Sequence, residues 1–229
     1  MWSTLDIAGH PVDLFEPGSR PRFALVCLHD ADGRTLRDDS AATFLLKHHG
    51  FACVCPRGGQ SWWSSRACAT LDAIKSAESW VVDDVLPAIL ARWSLAANAI
   101  ALTGIGMGGQ GALRLGFKHP ERFPTVAVLD AALDHYELYG EDTPLDEMYN
   151  SREQCRQDTA ILHIHPVRQP RHIWFAADPA SRWFRGSDRL HEKLFALGVA
   201  HTFAEKNGDW DKLFLFMKDA LETESRRLL

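Results

Sequence analysis

A glycine-rich turn between an apolar strand and a helix is the feature that most constrains how this chain can fold. Residues 99–102 form a short apolar run that leads into "TGIGMGGQG" over residues 103–111, and a helical pattern follows over residues 112–119. Glycine adopts positive φ angles at little cost and allows two backbone segments to approach closely. The pattern therefore predicts a strand, a tight turn centred on Gly106, and a helix packed against the strand.

Short apolar runs alternate with helical patterns along the rest of the chain. Strands are predicted over residues 23–28, 51–55, 99–102, 125–129, 172–176 and 200–204. Helices are predicted over residues 41–49, 71–93 and 209–226, with Pro87 kinking the second or marking a first turn. This alternation predicts an α/β fold with a mostly parallel central sheet and helices on both faces. A length of 229 residues with 46% hydrophobic residues suits a single domain over residues 1–229.

Composition excludes several classes of function. The formal net charge is −5, whereas nucleic-acid-binding surfaces are basic. No apolar run approaches the ~20 residues that span a bilayer, and the first residues lack the pattern of a signal peptide. The five cysteines are an odd number and two lie in one strand-like run, which favours reduced thiols in the cytoplasm. We expect no nucleic acid, no membrane, no metal and no cofactor.

Two interpretations of the glycine loop do not involve a catalytic residue. Gly104, Gly106 and Gly109 match the dinucleotide-binding pattern G-x-G-x-x-G. That pattern belongs to an early strand–helix–strand unit, whereas this loop comes late, although Asp130 ends the next strand at a suitable distance. The loop is also compatible with a plain tight turn without function.

The surrounding sequence resembles the esterase D group of α/β-hydrolases, which includes S-formylglutathione hydrolases, feruloyl esterases and mycolyltransferases. The segment "LTGIGMGGQGALRLGFKHPERFPTVAVLDAALD" is similar to the group's pattern G-x-S-M-G-G-x-G-A-L, which is followed by a helix and "HP". "CLHDADGRTLRD" resembles its early strand and oxyanion loop, and "CPRGGQSWW" resembles the loop after the next strand. "FAADPASRWFRGSDRLHEKLFALGVAHTF" resembles the segment that carries the catalytic acid. The resemblance implies an α/β-hydrolase fold without a large lid domain.

The resemblance also assigns the catalytic positions. The serine nucleophile corresponds to Gly106 and the acid to Asp178. The histidine corresponds to Asp209, in a loop that looks shortened. The two oxyanion-hole donors correspond to the backbone N–H groups of Met107 and Ala31.

Three departures from the group's pattern fall on this one site. Gly106 has no hydroxyl to form an acyl-enzyme, and Asp209 cannot relay a proton with the near-neutral pKa of an imidazole. The first loop of the group begins His-Gly, whereas here it begins His29-Asp30. If the Asp30 carboxylate points inward, it would repel a developing oxyanion. The leading hypothesis is therefore a pseudoenzyme that binds a ligand or a protein partner.

Ligand contacts are predicted for His29, Asp30, Trp62 and Trp63, although a packing role suits the two tryptophans equally well. A carboxylate at position 209 beside Asp178 would favour a cationic small molecule or partner, unless that residue merely caps the last helix. The alternative function is an active esterase that uses a rearranged site. A further one is metal-assisted hydrolysis by an acidic pocket of Asp30, Asp32, Asp178 and Asp209.

Overall fold

The computed structural model describes residues 1–205 and 210–227. Its centre is an eight-stranded sheet in the order β1-β2-β4-β3-β7-β8-β9-β10, and β5 and β6 form a separate hairpin. The strands are β1 (Trp2–Ile7), β2 (His10–Phe15), β3 (Ala24–Leu28), β4 (Ala52–Pro56), β5 (Ala67–Cys68), β6 (Asp72–Ser76), β7 (Ile100–Ile105), β8 (Thr125–Leu129), β9 (His172–Ala176) and β10 (Thr202–Ala204). The prediction of a mostly parallel sheet is confirmed, because the five pairings of the central sheet that run β4-β3-β7-β8-β9-β10 are all parallel.

Two strands at one end of the central sheet were not predicted from the sequence. β1 and β2 form an antiparallel hairpin, and β2 then pairs antiparallel with β4. The hairpin turns through Ala8 and Gly9, which both have positive φ angles of 55° and 87°. Positive φ at both central residues is the geometry that suits the twist of a two-residue hairpin. Alanine is an uncommon residue for that conformation, so the turn carried a weak sequence signal.

Helices cover both faces of the sheet. The α-helices are α1 (Ser40–His49), α2 (Ala77–Ser79), α3 (Leu86–Trp93), α4 (Met107–Lys118), α5 (His135–Leu138), α6 (Leu145–Met148), α7 (Arg152–Gln157), α8 (Phe184–Ala196) and α9 (Trp210–Arg226). α1 matches its prediction closely, because the Asp39 carboxylate caps its first turn and Gly50 ends it with a φ of 69°. Within the described residues, no helix combines the length and apolarity needed to cross a bilayer.

The single helix predicted over residues 71–93 is wrong in its first part. Residues 72–76 form β6, because the Asp72 carboxylate accepts the N–H groups of Ile74 and Lys75 and so competes with helical hydrogen bonds. The helix begins only at Ala77 and widens into a π-helical segment over Trp80–Val85 before α3. Pro87 lies directly after this segment, and its missing N–H explains why the regular hydrogen-bond pattern is interrupted there.

A buried ionic cluster ties α4 to the loops beside it. Arg114 is fully buried, and its guanidinium donates to Glu78 and, at 2.6 Å, to Asp158. Asp158 also accepts hydrogen bonds from Ser64 and Tyr149. Burial alone would raise the pKa of Glu78, but hydrogen bonds and the Arg114 charge outweigh it and lower that pKa to about 2. The acids of the cluster are therefore ionised, and Arg114 is the cation that Glu78 and Asp158 share, beside Lys118 and His119 at Glu78.

We expect Arg114→Leu to lower the free energy of unfolding by about 3–5 kcal/mol, because it leaves two buried carboxylates without their shared cation. Urea denaturation measures this change. The matched control is Arg156→Leu, which removes a half-exposed ion pair with Glu153 and should cost less than about 1 kcal/mol. Equal losses for the two variants would contradict the role given to the cluster.

Candidate active site

The turn between β7 and α4 lies at the centre of the sheet's carboxyl edge. Gly106 has φ 55° and ψ −119°, directly between the last residue of β7 and the first residue of α4. The sequence prediction of a positive φ at this residue is confirmed. Two backbone hydrogen bonds tie Gly106 to the end of β8 and the loop after it. Its N–H donates to Leu129 O, and its carbonyl oxygen accepts the N–H of Ala132 at 2.9 Å. This is the sharp strand-to-helix turn that presents a side chain at the top of a sheet.

Glycine at position 108 brings α4 close to the neighbouring strand. A Cβ atom at Gly108 would overlap the backbone carbonyl of Leu28 at the end of β3. The parallel register already sets Leu28 opposite Gly104, so the loop after β3 and the turn at Gly106 lie side by side. The two predicted donor positions, Ala31 and Met107, come from these two adjacent segments.

The Asp30 carboxylate joins the two segments. Its Oδ1 atom accepts the backbone N–H of Ala31 at 2.8 Å and the backbone N–H of Met107 at 2.8 Å. Met107 is the first residue of α4, where the helix dipole also favours a negative charge. Two backbone donors that converge on one anionic oxygen at this distance have the geometry of an oxyanion hole. In this molecule the oxygen they hold belongs to the protein itself.

The same carboxylate fills the space above Gly106. A Cβ atom added to Gly106 would overlap the carboxyl carbon and both carboxylate oxygens of Asp30. A side chain at position 106 and an inward-pointing Asp30 therefore exclude each other. The sequence suggested that Asp30 could face inward, but not that it would occupy the position of a residue 76 places further along the chain.

The imidazole of His29 fixes the loop that carries Asp30. Its Nε2 accepts the N–H of Gly58 at 2.9 Å, which leaves the proton on Nδ1 to donate to Asp30 O at 2.7 Å. Burial lowers the pKa of His29, in keeping with this neutral form. His29 was predicted to contact a ligand, and it lies on the wall of the cavity described below. Both of its ring nitrogens are engaged by backbone groups, so it also positions the loop.

The two tryptophans predicted to line the pocket lie in the core. Trp62 is 5% exposed and Trp63 is fully buried, and both adopt positive φ angles of 53° and 52°. The indole N–H of Trp63 donates to His29 O, and the Trp62 ring meets His135 edge-on. Of the two roles considered for this pair, packing is therefore the one that the structure supports.

Asp178, the residue that the resemblance assigns as the acid, follows β9 by two residues. Asp178 Oδ1 accepts the N–H of Ala180 at 2.8 Å, and the Asp178 N–H donates to Asp130 Oδ1 at 3.0 Å. Asp130 has a positive φ of 41° directly after β8, and its N–H donates to Ala176 O. Asp130, which the sequence suggested only as the acidic residue of a dinucleotide-binding pattern, instead braces the backbone at Asp178. Asp209 lies outside the described residues, so its predicted pairing with Asp178 stays a prediction.

A cavity of about 220 Å³ opens beside Asp30. Its wall includes Cys27, Asp30, Asp39, Ile105 and Trp210. Asp39 holds the wall together, because one carboxylate oxygen caps α1 and the other accepts the indole N–H of Trp210 at 3.0 Å.

Two further aspartates on the cavity wall accept hydrogen bonds from backbone N–H groups close to them in the chain. Asp32 accepts the N–H of Arg34, and Asp38 accepts the N–H of Thr35. Across residues 1–205 and 210–227, no three His, Cys, Asp or Glu side chains are arranged to hold a metal ion.

Comparisons with known proteins identify the family of this chain. A family model named Esterase and described as "Putative esterase" matches residues 28–201. The chain belongs to the Esterase family. A search of curated proteins found no match.

Several solved structures are similar to this chain over nearly its whole length. An S-formylglutathione hydrolase from Agrobacterium tumefaciens has a TM-score of 0.73 and 15% identity, covering 100% of this chain and 94% of that one. FphF, a fluorophosphonate-binding serine hydrolase of Staphylococcus aureus, has a TM-score of 0.78 and 12% identity, covering 98% and 97%. MPT51 (FbpC1) of Mycobacterium tuberculosis has a TM-score of 0.71 and 16% identity, covering 97% and 98%. At these identities the likeness shows the α/β-hydrolase fold, without a large lid domain.

We expect Gly106→Ala to destabilise this Esterase-family chain through both backbone strain and overlap with Asp30. Gly198→Ala is the matched control, because Gly198 has a φ of 67° and open space around it, so strain alone should cost about 1–3 kcal/mol. Urea denaturation of Gly106→Ala, Asp30→Gly and the double variant measures the overlap. We expect a coupling of about 0.5–3 kcal/mol between positions 30 and 106. A coupling of zero would show that the carboxylate does not fill that space.

Proposed function

We propose that this chain is an Esterase-family protein that has lost serine-dependent ester hydrolysis and acts by binding a ligand or a protein partner. In this proposal Gly106 stands where the family carries its nucleophile. Asp178 stands at the position of the acid and Asp209 at that of the histidine. A glycine offers no hydroxyl, and a carboxylate at position 209 is a poor substitute for imidazole as a proton relay.

The observation that carries the proposal is the hydrogen bonding of Asp30. An oxyanion hole accelerates acyl transfer because its donors are free to meet charge that develops in the transition state. Here both donors, Ala31 and Met107, already hold a full carboxylate oxygen at 2.8 Å. A substrate carbonyl would have to displace two charge-assisted hydrogen bonds before any such stabilisation began.

Glycine at position 106 and aspartate at position 30 support the same conclusion from sterics. The overlap described above means that a serine at 106 and the observed Asp30 conformation cannot coexist. The two residues form a complementary pair in which the smaller residue makes room for the larger one. The carboxylate then takes the place that a tetrahedral intermediate would need.

The cavity beside Asp30 is the proposed ligand site. Among the residues that the structure describes, its wall carries Asp30, Asp32, Asp38 and Asp39, against one arginine, Arg34, and the neutral imidazole of His29. Anionic esters and acids would meet unfavourable charge there, so we infer that the ligand is neutral or cationic. The alternative function, a hydrolase with a rearranged site, would need a histidine that is free to act as a base. Among the described residues of the site, His29 is not free, because both of its ring nitrogens are engaged by backbone groups.

We expect hydrolysis of p-nitrophenyl acetate by the purified protein to match the rate of the heat-denatured sample. A fluorophosphonate probe, which labels activated serine nucleophiles, should likewise leave the protein unlabelled. An active serine esterase in the same assay is the positive control. Saturable turnover at typical enzyme rates of ~1–10³ per second, or stoichiometric labelling at one residue, would overturn the proposal.

We expect a stepwise rescue series to recover labelling and hydrolysis only when the site is rebuilt as a unit. Gly106→Ser alone should stay inactive, because the hydroxyl has no base and its Cβ overlaps the Asp30 carboxylate. Gly106→Ser with Asp30→Gly opens the oxyanion hole, and Asp209→His added to that pair should give weak, measurable hydrolysis.

The matched control for this series is Asp30→Gly with Asp209→His, which has an open hole and an imidazole but no nucleophile. Full activity in Gly106→Ser alone would contradict the blocked-hole account and point to a base already in place.

A further inference from the structure

Three of the five cysteines lie together behind the loop that carries Asp30. Cys53 and Cys55 are two apart on β4, so their side chains leave the same face of the sheet, and their sulfur atoms are 3.8 Å apart. Cys27 lies on the adjacent strand β3 and belongs to the same buried layer as Cys53 and Cys55. All three are free thiols in the apolar layer between the sheet and the helices α1 and α9.

The strand register brings one pair of these thiols into disulfide range. β3 and β4 run parallel, with Leu25 opposite Cys53 and Val26 opposite Val54. One further step sets Cys27 opposite Cys55. Neighbouring strands lie about 4.7–4.9 Å apart. This spacing is inside the usual Cα separation of disulfides, about 4.4–6.8 Å.

The hydrogen bonds around Cys55 favour a thiolate there. Burial works to raise its pKa, but hydrogen bonds from Cys27, from Cys53 and from the backbone N–H of Leu36 outweigh burial and lower it. The hydrogen bond to Cys55, together with burial, raises the pKa of Cys27. Cys55 is therefore the more readily ionised thiol of the pair, and the thiolate is the form that reacts with oxidants and forms disulfides.

A small oxidant has a route to this pair. Cys27 is 4% exposed and forms part of the wall of the 220 Å³ cavity beside Asp30. The remaining cysteines, Cys68 and Cys155, belong to the apolar layer on the opposite face of the sheet.

We propose that Cys27 and Cys55 form a redox-sensitive pair that hydrogen peroxide oxidises to a disulfide. One sulfur takes an oxygen atom from the peroxide and becomes a sulfenic acid, with release of one water. The other thiol attacks that sulfur, the S–S bond forms, and the second water leaves. Two thiols are oxidised by two electrons, and one peroxide is reduced.

Oxidation would act on the loop that holds the oxyanion-hole donors. Cys27 precedes His29 by two residues, so a bond from Cys27 to Cys55 joins the start of this loop to β4. The inference stands independently of the proposed loss of hydrolysis, because it rests on the thiols alone.

Peptide mapping of the native protein tests the proposal. The protein is treated with hydrogen peroxide, blocked with N-ethylmaleimide in denaturant, and digested with trypsin. The expected result is the loss of two of the five thiols and a disulfide that joins the peptide of residues 23–34 to the peptide of residues 48–57. The peptides of residues 67–75 and 153–156, which carry Cys68 and Cys155, should be fully blocked by the maleimide.

Three variants sharpen the test. Cys27→Ser should abolish the cross-link, whereas Cys53→Ser and Cys68→Ser should retain it. If Cys27→Ser fails to fold, the wild-type map and the Cys53→Ser map decide together, because residues 48–57 carry both Cys53 and Cys55. Loss of the cross-link in Cys53→Ser would overturn the assignment to Cys55. Retention of all five thiols would overturn the proposal, as would a disulfide confined to residues 48–57 or oxidation that begins at Cys68 or Cys155.

Discussion

The carboxylate of Asp30 is the contact on which the rest of this site depends. Its Oδ1 atom joins the loop after β3 to the first turn of α4 through two backbone N–H groups at 2.8 Å. These donors lie at the centre of the sheet, where the parallel register sets Leu28 beside Gly104. Such donors need an anion or water when no substrate is bound, and here the chain supplies the anion itself. Position 106 must therefore be glycine, because the Cβ atom of any other residue would overlap the same carboxylate.

Aspartates along this edge of the sheet accept hydrogen bonds from backbone N–H groups. Asp39 caps α1, Asp130 braces the start of the Asp178 loop, and Asp178 accepts the N–H of Ala180. His29 works in the same manner, with one nitrogen on Gly58 and the other on Asp30. A catalytic edge needs donors and bases that are free to exchange partners during reaction. An edge whose polar groups are engaged by the backbone is suited to a fixed binding surface.

Much of this fold was predictable, and the failures have physical causes. Strands over residues 125–129 and 172–176 match their predictions because buried parallel strands are continuous apolar runs bounded by polar residues. The glycine turn was predictable because only a sharp strand-to-helix connection needs so many residues without a Cβ atom. The hairpin of β1 and β2 was missed because its turn uses alanine and β1 is largely exposed. Long-range contacts, such as those of Arg114 with Glu78 and Asp158, leave no periodic signal in a sequence.

The amide protons of Ala31 and Met107 report most directly on the central claim, because a carboxylate acceptor shifts both resonances downfield. Backbone-assigned ¹⁵N–¹H spectra of the wild-type protein and of Asp30→Gly provide the measurement. The account predicts that both resonances move upfield together in the variant, although Met107 is 77 residues from the substitution in the chain. Asp32→Gly, which removes a neighbouring carboxylate bonded to the N–H of Arg34, should leave Met107 unchanged. A Met107 resonance that does not respond to Asp30→Gly would contradict the account.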